Sequence, residues 1–396
     1  MSRTGLIVAT LIALGALALP AASLADERLE RRLSELMDRA GGASGIWVYD
    51  AANRRRLFAD AAGKRRIPAS NQKLFTTSAI LHRLGEDARL RTEVRADGVL
   101  DGRVLRGDLY LVGDGDPSLG SSELRALAKQ VKRSGIRRVK GRVFADDSIF
   151  DRKRGVPDSG YGPSPYIAPL SGLVYAGSTY SGDPALEAAG AFRRYLRKRG
   201  VKAGRVKLGR APKRALRRAP LASVASPPVG ALVEATNEPS NNFFAEMLLK
   251  RLVATPSRRG TTKAGTRAVE RFARSKGSRI SARDGSGLTD GNRAAPRDVV
   301  RLLVAMREHR DGEAFVDSLP VAGKEGTVDE RMEGTAAAGR CRAKTGTIDG
   351  VSALSGYCQA GHGRVAFSLL MNGVGDYDAA RRIQDKMTVK IARYRP

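Results

Sequence analysis

Apolar residues recur at helical spacing near the start of the chain. Leu29, Leu33, Leu36 and Met37 predict a helix over Asp26–Arg39. Gly45–Tyr49 and Arg56–Ala59 follow as the two arms of a hairpin around Ala51-Ala52-Asn53. Ser70–Leu84 reads as an apolar helix. From Arg91 to Ala145 the pattern changes to short strands, Val104–Val112 and Val139–Phe144, with one helix, Ser122–Ser134, between them. Residues 155–184 are rich in Pro and Gly and predict a loop region. Helices are expected at Ala185–Arg199, Val233–Leu252 and Arg297–Arg307, and residues 340–374 return to strands. No internal repeat interrupts the pattern. The organisation this predicts is one domain built from both ends, residues 26–90 and 221–396. A second α+β domain with a basic C-terminal segment, residues 91–220, is inserted into it.

The first residues read differently. Arg3 gives a positive start, Gly5 to Leu19 is uncharged and mostly apolar, and Ser23-Leu24-Ala25 supplies small residues. The run is shorter than the roughly 18–20 residues a spanning helix needs. Residues 1–25 are therefore expected to be a signal peptide cut after Ala25, with an uncleaved anchor as the alternative. Export to the periplasm or the extracellular wall space follows. It permits a disulfide. Cys341 and Cys358 flank a predicted hairpin, Arg340–Ile348 and Ser352–Gln359, whose Asp349-Gly350 is a two-residue turn. Pairing about that turn sets the two cysteines across from each other, so a disulfide is expected. The alternative is two unpaired small hydrophobes.

The chain of 396 residues is 42% hydrophobic, enough to bury a sizeable core, and carries a net charge of +29 with a pI near 10.8. Arg193–Arg218 contains no acidic residue. Nucleic acid is not the expected partner: aromatics are only 5% and none interleave with the basic run as stacking platforms. For an exported chain, anionic wall polymers or a membrane surface fit the charge better. A plain solvated basic face fits it as well.

Three histidines exist, His82, His309 and His362, and none sits in a motif. His309, in a charged helix end, and His362, in a Gly-rich turn, are expected to be solvated. A Ser-His-Asp triad or a zinc site needs more. A serine enzyme built from this chain would take lysine as its base. Ser70-Asn71-Gln72-Lys73 opens an apolar helix, where positions i and i+3 share a face, so the Lys73 amine can reach the Ser70 hydroxyl. The helix N-terminus, a neighbouring cation and burial would each lower the lysine pKa. Ser240-Asn241-Asn242 offers a hydroxyl and an amide two residues apart, although Ser240 could simply cap the helix Phe243–Lys250. Lys344-Thr345-Gly346-Thr347 lies on a strand before the turn. Its lysine and threonine can bind a carboxylate, and its glycine leaves room for a substrate backbone. Ser-x-x-Lys, Ser-x-Asn and Lys-Thr-Gly each occur once, in the order seen in penicillin-binding proteins and class A β-lactamases.

On these motifs the chain resembles the D-alanyl-D-alanine carboxypeptidase/endopeptidase family, the low-molecular-mass class C penicillin-binding proteins. Gly107–Pro117, Gly141-Arg142-Val143 and Asp146-Asp147 resemble that family's inserted domain. Asp284-Gly285-Ser286-Gly287-Leu288 resembles its stretch before the last helices, and Ser318–Gly323 and Gly326-Thr327 resemble its approach to the Lys-Thr-Gly strand. The resemblance implies Ser70 as the acylated nucleophile, Lys73 as its base and Ser240 as a proton relay. It implies Asn242 as a positioning group and Lys344 and Thr345 as ligands of a terminal carboxylate. Gly346 would make room for the substrate, and the backbone N–H groups of Ser70 and Thr347 would form the oxyanion hole.

The family often nests a third domain in the insertion. The stretch here is short for one, so that domain is expected to be absent or vestigial. The expected fold is an α+β penicillin-binding/β-lactamase-like domain, an antiparallel sheet flanked by helices, with a smaller inserted α+β domain. The expected activity is cleavage of peptidoglycan stem peptides at D-Ala-D-Ala through an acyl-serine, inhibited by β-lactams, with no metal or cofactor. The alternatives are a β-lactamase of related fold and a non-catalytic wall-binding protein.

Overall fold

The computed structural model describes residues 24–41, 43–175, 182–361 and 363–395. The predicted signal segment up to Ser23, and His362, lie outside them. The chain begins with helix α1 (Leu24–Met37), strands β1 (Ser44–Asp50) and β2 (Arg55–Asp60), and helix α2 (Gln72–Leu84). It leaves through β3 (Arg91–Asp101), β4 (Val104–Val112), α3 (Ser121–Arg133), β5 (Arg138–Val139), β6 (Val143–Asp146), α4 (Pro184–Lys198), β7 (Val206–Leu208), α5 (Lys213–Leu216) and β8 (Ala222–Ala225). It returns through α6 (Val229–Asn237), α7 (Asn242–Arg251), α8 (Thr262–Ser275), the short pair β9 (Ile280–Ser281) and β10 (Arg293–Ala294), α9 (Pro296–Arg307) and α10 (Gly312–Asp317). Strands β11 (Cys341–Ile348), β12 (Val351–Ala360) and β13 (Gly363–Asn372) and helix α11 (Tyr377–Ala392) complete it.

Strands from the two chain ends share one antiparallel sheet, in the order β11-β12-β13-β1-β2. Its strands carry apolar side chains on both faces, because helices cover both. On one face Leu33 of α1 and Ile391 of α11 pack with Phe367. On the other, Phe75 of α2, Leu248 of α7 and Val299 of α9 pack with Leu370. The second sheet runs β7-β6-β4-β3-β8, with β5 beside β4. Helices α3 and α4 bury Leu124, Val131 and Phe192 against its Leu109 and Val143. The Pro- and Gly-rich stretch forms no third core among the described residues. Its Val156, Ile167 and Leu170, with Phe150 just before it, instead form a small cluster on Met247 of α7.

Four expectations are corrected. The single helix expected at Val233–Leu252 is two, α6 and α7, broken where Pro239 removes a backbone N–H and Ser240 takes a left-handed φ of 60°. The cap of α7 is Asn241, whose side chain accepts from the Phe244 N–H at 3.1 Å, and not Ser240. The strand expected at Val139–Phe144 is split into β5 and β6, because each pairs with a different stretch of β4. His309 is not solvated: its side chain is only 7% exposed and its ring lies 3.0 Å from the His82 ring nitrogen. Cys341 and Cys358 stand opposite each other in the β11–β12 ladder and form a disulfide.

Candidate active site

Ser70 sits in a 3₁₀ turn, Ala69–Asn71, that leads directly into α2. The tighter turn precedes the α-helix proper, and one turn later Lys73 projects back toward the hydroxyl. Lys73 Nζ is 2.9 Å from Ser70 Oγ, 2.7 Å from Asn242 Oδ1 and 2.7 Å from the Ser286 carbonyl oxygen. Asn242 opens α7, and its own Nδ2 donates to the Tyr166 carbonyl at 3.3 Å, which fixes which end of the amide faces the lysine. The lysine is fully buried. Burial pulls its pKa down from the ordinary 10.5 to about 7, against the opposing fields of Asp284 and Glu246.

Those two carboxyls were not recognised as site residues from sequence. Glu246 on α7 is buried and accepts from the N–H groups of Gly285 and Ser286, each at 2.8 Å. Burial, then the Asp284 charge, pushes it up to about 7. Asp284 is also raised by burial, although the Thr289 N–H and the Asn292 amide hold it at 2.9 and 2.7 Å. Together they fasten the loop 284–289 whose Ser286 carbonyl reaches Lys73. Gly287 in this loop has φ 87°, and a Cβ there would lie 1.9 Å from the Ala69 carbonyl oxygen. The loop therefore presses on the turn that carries Ser70.

From the other side β11 closes in. A Cβ on Gly346 would meet the Pro68 oxygen at 2.9 Å and the Ser70 nitrogen at 3.1 Å. Asn71 Nδ2 donates to the Lys344 carbonyl at 3.2 Å. A cleft of about 460 Å³ opens here, walled by Ser70, Ser240, Asn242, Thr327, Thr345, Gly346 and Thr347, with Arg331 and Arg381 also lining it. Thr345 Oγ1 donates to Thr327 Oγ1 at 2.8 Å. Lys344 lies behind this wall, buried, with Nζ donating to the Thr345 carbonyl at 3.2 Å. Burial, then the nearby Lys73, holds it well below the ordinary lysine range.

The structure thus brings Ser70, Lys73, Ser240, Asn242, Lys344, Thr345, Gly346 and Thr347 to one place. Among the described residues no group of three or more His, Cys, Asp and Glu side chains is placed to hold a metal ion. The cleft arginines and Tyr166 were not found from sequence. Nothing local distinguishes Arg331 and Arg381 from the many other arginines, and Tyr166 reaches the site only because its loop seats on α7.

The profile of the D-Ala-D-Ala carboxypeptidase 3 (S13) family matches residues 25–181 and 176–394. The chain belongs to that family. It is accordingly a hydrolase of the serine-peptidase class. A D-alanyl-D-alanine carboxypeptidase of Actinomadura sp. (strain R39) is 32% identical over 441 residues, covering 89% of this chain and 82% of the relative. A carboxypeptidase, DacB, of Mycolicibacterium smegmatis is 31% identical, covering 83% and 76%. Penicillin-binding protein 4 of Haemophilus influenzae has the same fold, with a TM-score of 0.79 at 21% identity over 92% of this chain and 99% of that one. A predatory endopeptidase of Bdellovibrio bacteriovorus, solved with its immunity protein, gives a TM-score of 0.60 at 18% identity over 89% and 93%. The fold is the penicillin-binding type expected from the motifs.

Proposed function

We propose that this S13 member is an exported serine D-Ala-D-Ala carboxypeptidase and endopeptidase that cleaves peptidoglycan stem peptides through an acyl-serine, and that β-lactams acylate it. One observation carries the reading. A neutral amine has two N–H groups and one lone pair. Two of the three partners of Lys73, Asn242 Oδ1 and the Ser286 carbonyl, can only accept. They take both N–H groups, so the lone pair faces the Ser70 hydroxyl, which must donate. With its pKa near 7, a large fraction of the lysine is in this base form at neutral pH.

Ser70 Oγ then attacks the carbonyl carbon of the penultimate D-alanine while its proton passes to Lys73. Ser240 relays that proton to the leaving amine as the peptide bond breaks. Water, deprotonated by the same lysine, hydrolyses the ester and restores Ser70. The Ala343 N–H donates to Pro320 O, away from β12, so the two-residue period turns the Thr347 N–H to the same open edge. With the Ser70 N–H it supports an oxyanion hole. Thr345 receives the terminal carboxylate with Thr347 beside it; the Lys344 amine, expected from sequence to ligate that group too, is buried behind them with Nζ on the Thr345 carbonyl. The apolar run 5–19 and the disulfide support export.

The test is mass spectrometry of purified peptidoglycan digested by wild type and Ser70→Ala, alongside labelling with fluorescent penicillin. Loss of terminal D-alanine and of D-Ala-linked cross-bridges with wild type alone, with stable labelling of Ser70, is expected. Equal digests from both proteins would overturn the reading. Rapid turnover of a chromogenic cephalosporin without peptide cleavage would favour a β-lactamase.

A further inference from the structure

Five large apolar side chains are exposed among the described residues: Leu24, Val99, Leu100, Tyr166 and Leu216. Two of them, Val99 and Leu100, flank the tip of the β3–β4 hairpin. Val99 is 70% and Leu100 48% exposed. The register pairs Val99 with Arg106 and Leu100 with Leu105. Side chains alternate across a strand, so Val99 shares a face with Arg95 and Asp97. That face is where Arg214 binds Asp97 and Arg218 binds the Gly98 carbonyl. Leu216, 38% exposed, lies further back, where its carbonyl accepts from Arg95 and its side chain faces Glu93 and Val112, so it is not part of the tip. Leu100 overhangs the opposite face.

The same end of the sheet gathers cations. The Arg103 carbonyl accepts from the Arg137 and Arg138 N–H groups, and Arg138 bridges to Lys202. Arg137 Nη1 donates to the Lys132 carbonyl at 3.2 Å. Among the described residues Arg103, Lys132, Arg133, Arg137, Arg138 and Lys202 have no carboxylate within ion-pair distance, whereas neighbouring Arg106 and Arg214 are paired with Asp101 and Asp97. The tip is about 30 Å of strand from the start of β3, where the chain leaves the catalytic domain.

We infer that this end of the inserted domain docks on an anionic lipid surface, Val99 and Leu100 entering the headgroup region while the six free cations meet lipid phosphates. Cations alone would suit any polyanion. Protruding aliphatic side chains gain nothing from a hydrated polymer but gain on entering a bilayer interface, so the combination favours lipid. Among the described residues no helix is long and apolar enough to cross a membrane, so the contact is peripheral. The geometry would hold the catalytic domain off the bilayer, facing the wall.

Cosedimentation tests this, using the chain from Leu24 so that the apolar run 5–19 takes no part. Vesicles are equal parts phosphatidylglycerol and phosphatidylcholine, or phosphatidylcholine alone. Binding is expected only to the first and should weaken with salt. Arg137→Glu with Arg138→Glu should lower it about tenfold or more. Val99→Ser with Leu100→Ser should lower it about fivefold. Both variants should keep the wild-type melting transition and penicillin labelling. Undiminished vesicle binding by the Val99/Leu100 variant would overturn the proposal. So would wild type that binds soluble linear polyphosphate but fails to sediment with anionic vesicles.

Discussion

Glu246 holds Ser286, and Ser286 holds the base. The Glu246 carboxyl accepts from the Ser286 N–H at 2.8 Å, and the Ser286 carbonyl takes a Lys73 N–H at 2.7 Å. One buried side chain thus fixes the loop and contributes to the field on the amine. Glu246→Gln keeps an oxygen that can accept both loop amides but removes the charge. Glu246 raises the Lys73 pKa, so removing it should leave the amine neutral at lower pH. The expected result is an acid limb of the penicillin acylation rate shifted to lower pH, with the plateau within about threefold of wild type. Glu246→Ala frees the loop and should lower the plateau by about tenfold or more. Stopped-flow labelling from pH 5 to pH 9 reads both, and an unmoved limb in the Gln variant would refute the coupling.

Lys73 itself ties activity to stability with opposite signs. Its neutral form reacts, so acylation should rise as pH passes through about 7 and then level. Its folded pKa lies below the unfolded value of 10.5. Between the two the unfolded chain binds the extra proton, so this group costs stability that is recovered as pH rises toward 10.5. Lys73→Met should abolish acylation yet raise stability near pH 6 by ~1–4 kcal/mol, since a buried charge is replaced by a similar apolar shape. Denaturant midpoints should show the gain shrinking toward pH 10. A destabilised Met variant at pH 6 would contradict this account.

Two glycines separate positioning from folding. Gly346→Ala brings a Cβ to 2.9 Å from the Pro68 oxygen and 3.1 Å from the Ser70 nitrogen, both backbone atoms, so the turn that carries the nucleophile must shift. Acylation should fall by about 10- to 100-fold while stability falls by ~1 kcal/mol, since the backbone clash is milder than at Gly287 and no left-handed φ adds to it. Gly287→Ala combines φ 87° with a 1.9 Å clash against backbone, so it should cost ~2 kcal/mol or more and lower the yield of folded protein. Paired melting and labelling measurements check the contrast, and similar losses in both variants would refute it.

Much of the site was legible because its determinants are local. Ser70 and Lys73 are fixed by one helical turn, and Lys344 to Thr347 by strand parity before an Asp349-Gly350 turn. The turn also set Cys341 opposite Cys358. What escaped depends on tertiary packing. Glu246 reads as an ordinary polar helix position, and only the seating of α7 on α2 turns it inward. The break at Ser240 was hidden by apolar periodicity that continues on both sides of Pro239. Strand β3 alternates around charged residues such as Arg95 and Asp97, whose partners come from more than 100 residues later in the chain, on Leu216 and Arg214. Helices α8 and α11 went unplaced.

The disulfide gives the last prediction. Cys341 and Cys358 are 17 residues apart, and Cys341 lies three residues from Lys344 on the strand that walls the cleft, with Cys358 opposite it on β12. Closing a loop of that size in the unfolded chain is worth ~3 kcal/mol by chain entropy. The β11–β12 hairpin, with its tight turn and apolar face, retains some closure when unfolded, so the realised value should be smaller, ~1–2 kcal/mol. In the folded state the ladder on both sides of the pair persists without the bond, because Arg342 to Ile348 stay paired with Tyr357 to Val351. Cys341→Ala with Cys358→Ala should therefore lower the melting temperature by a few degrees while leaving the penicillin acylation rate within about twofold. An acylation rate that fell tenfold in a variant still fully folded would show instead that the bond sets the position of Lys344 and Thr345.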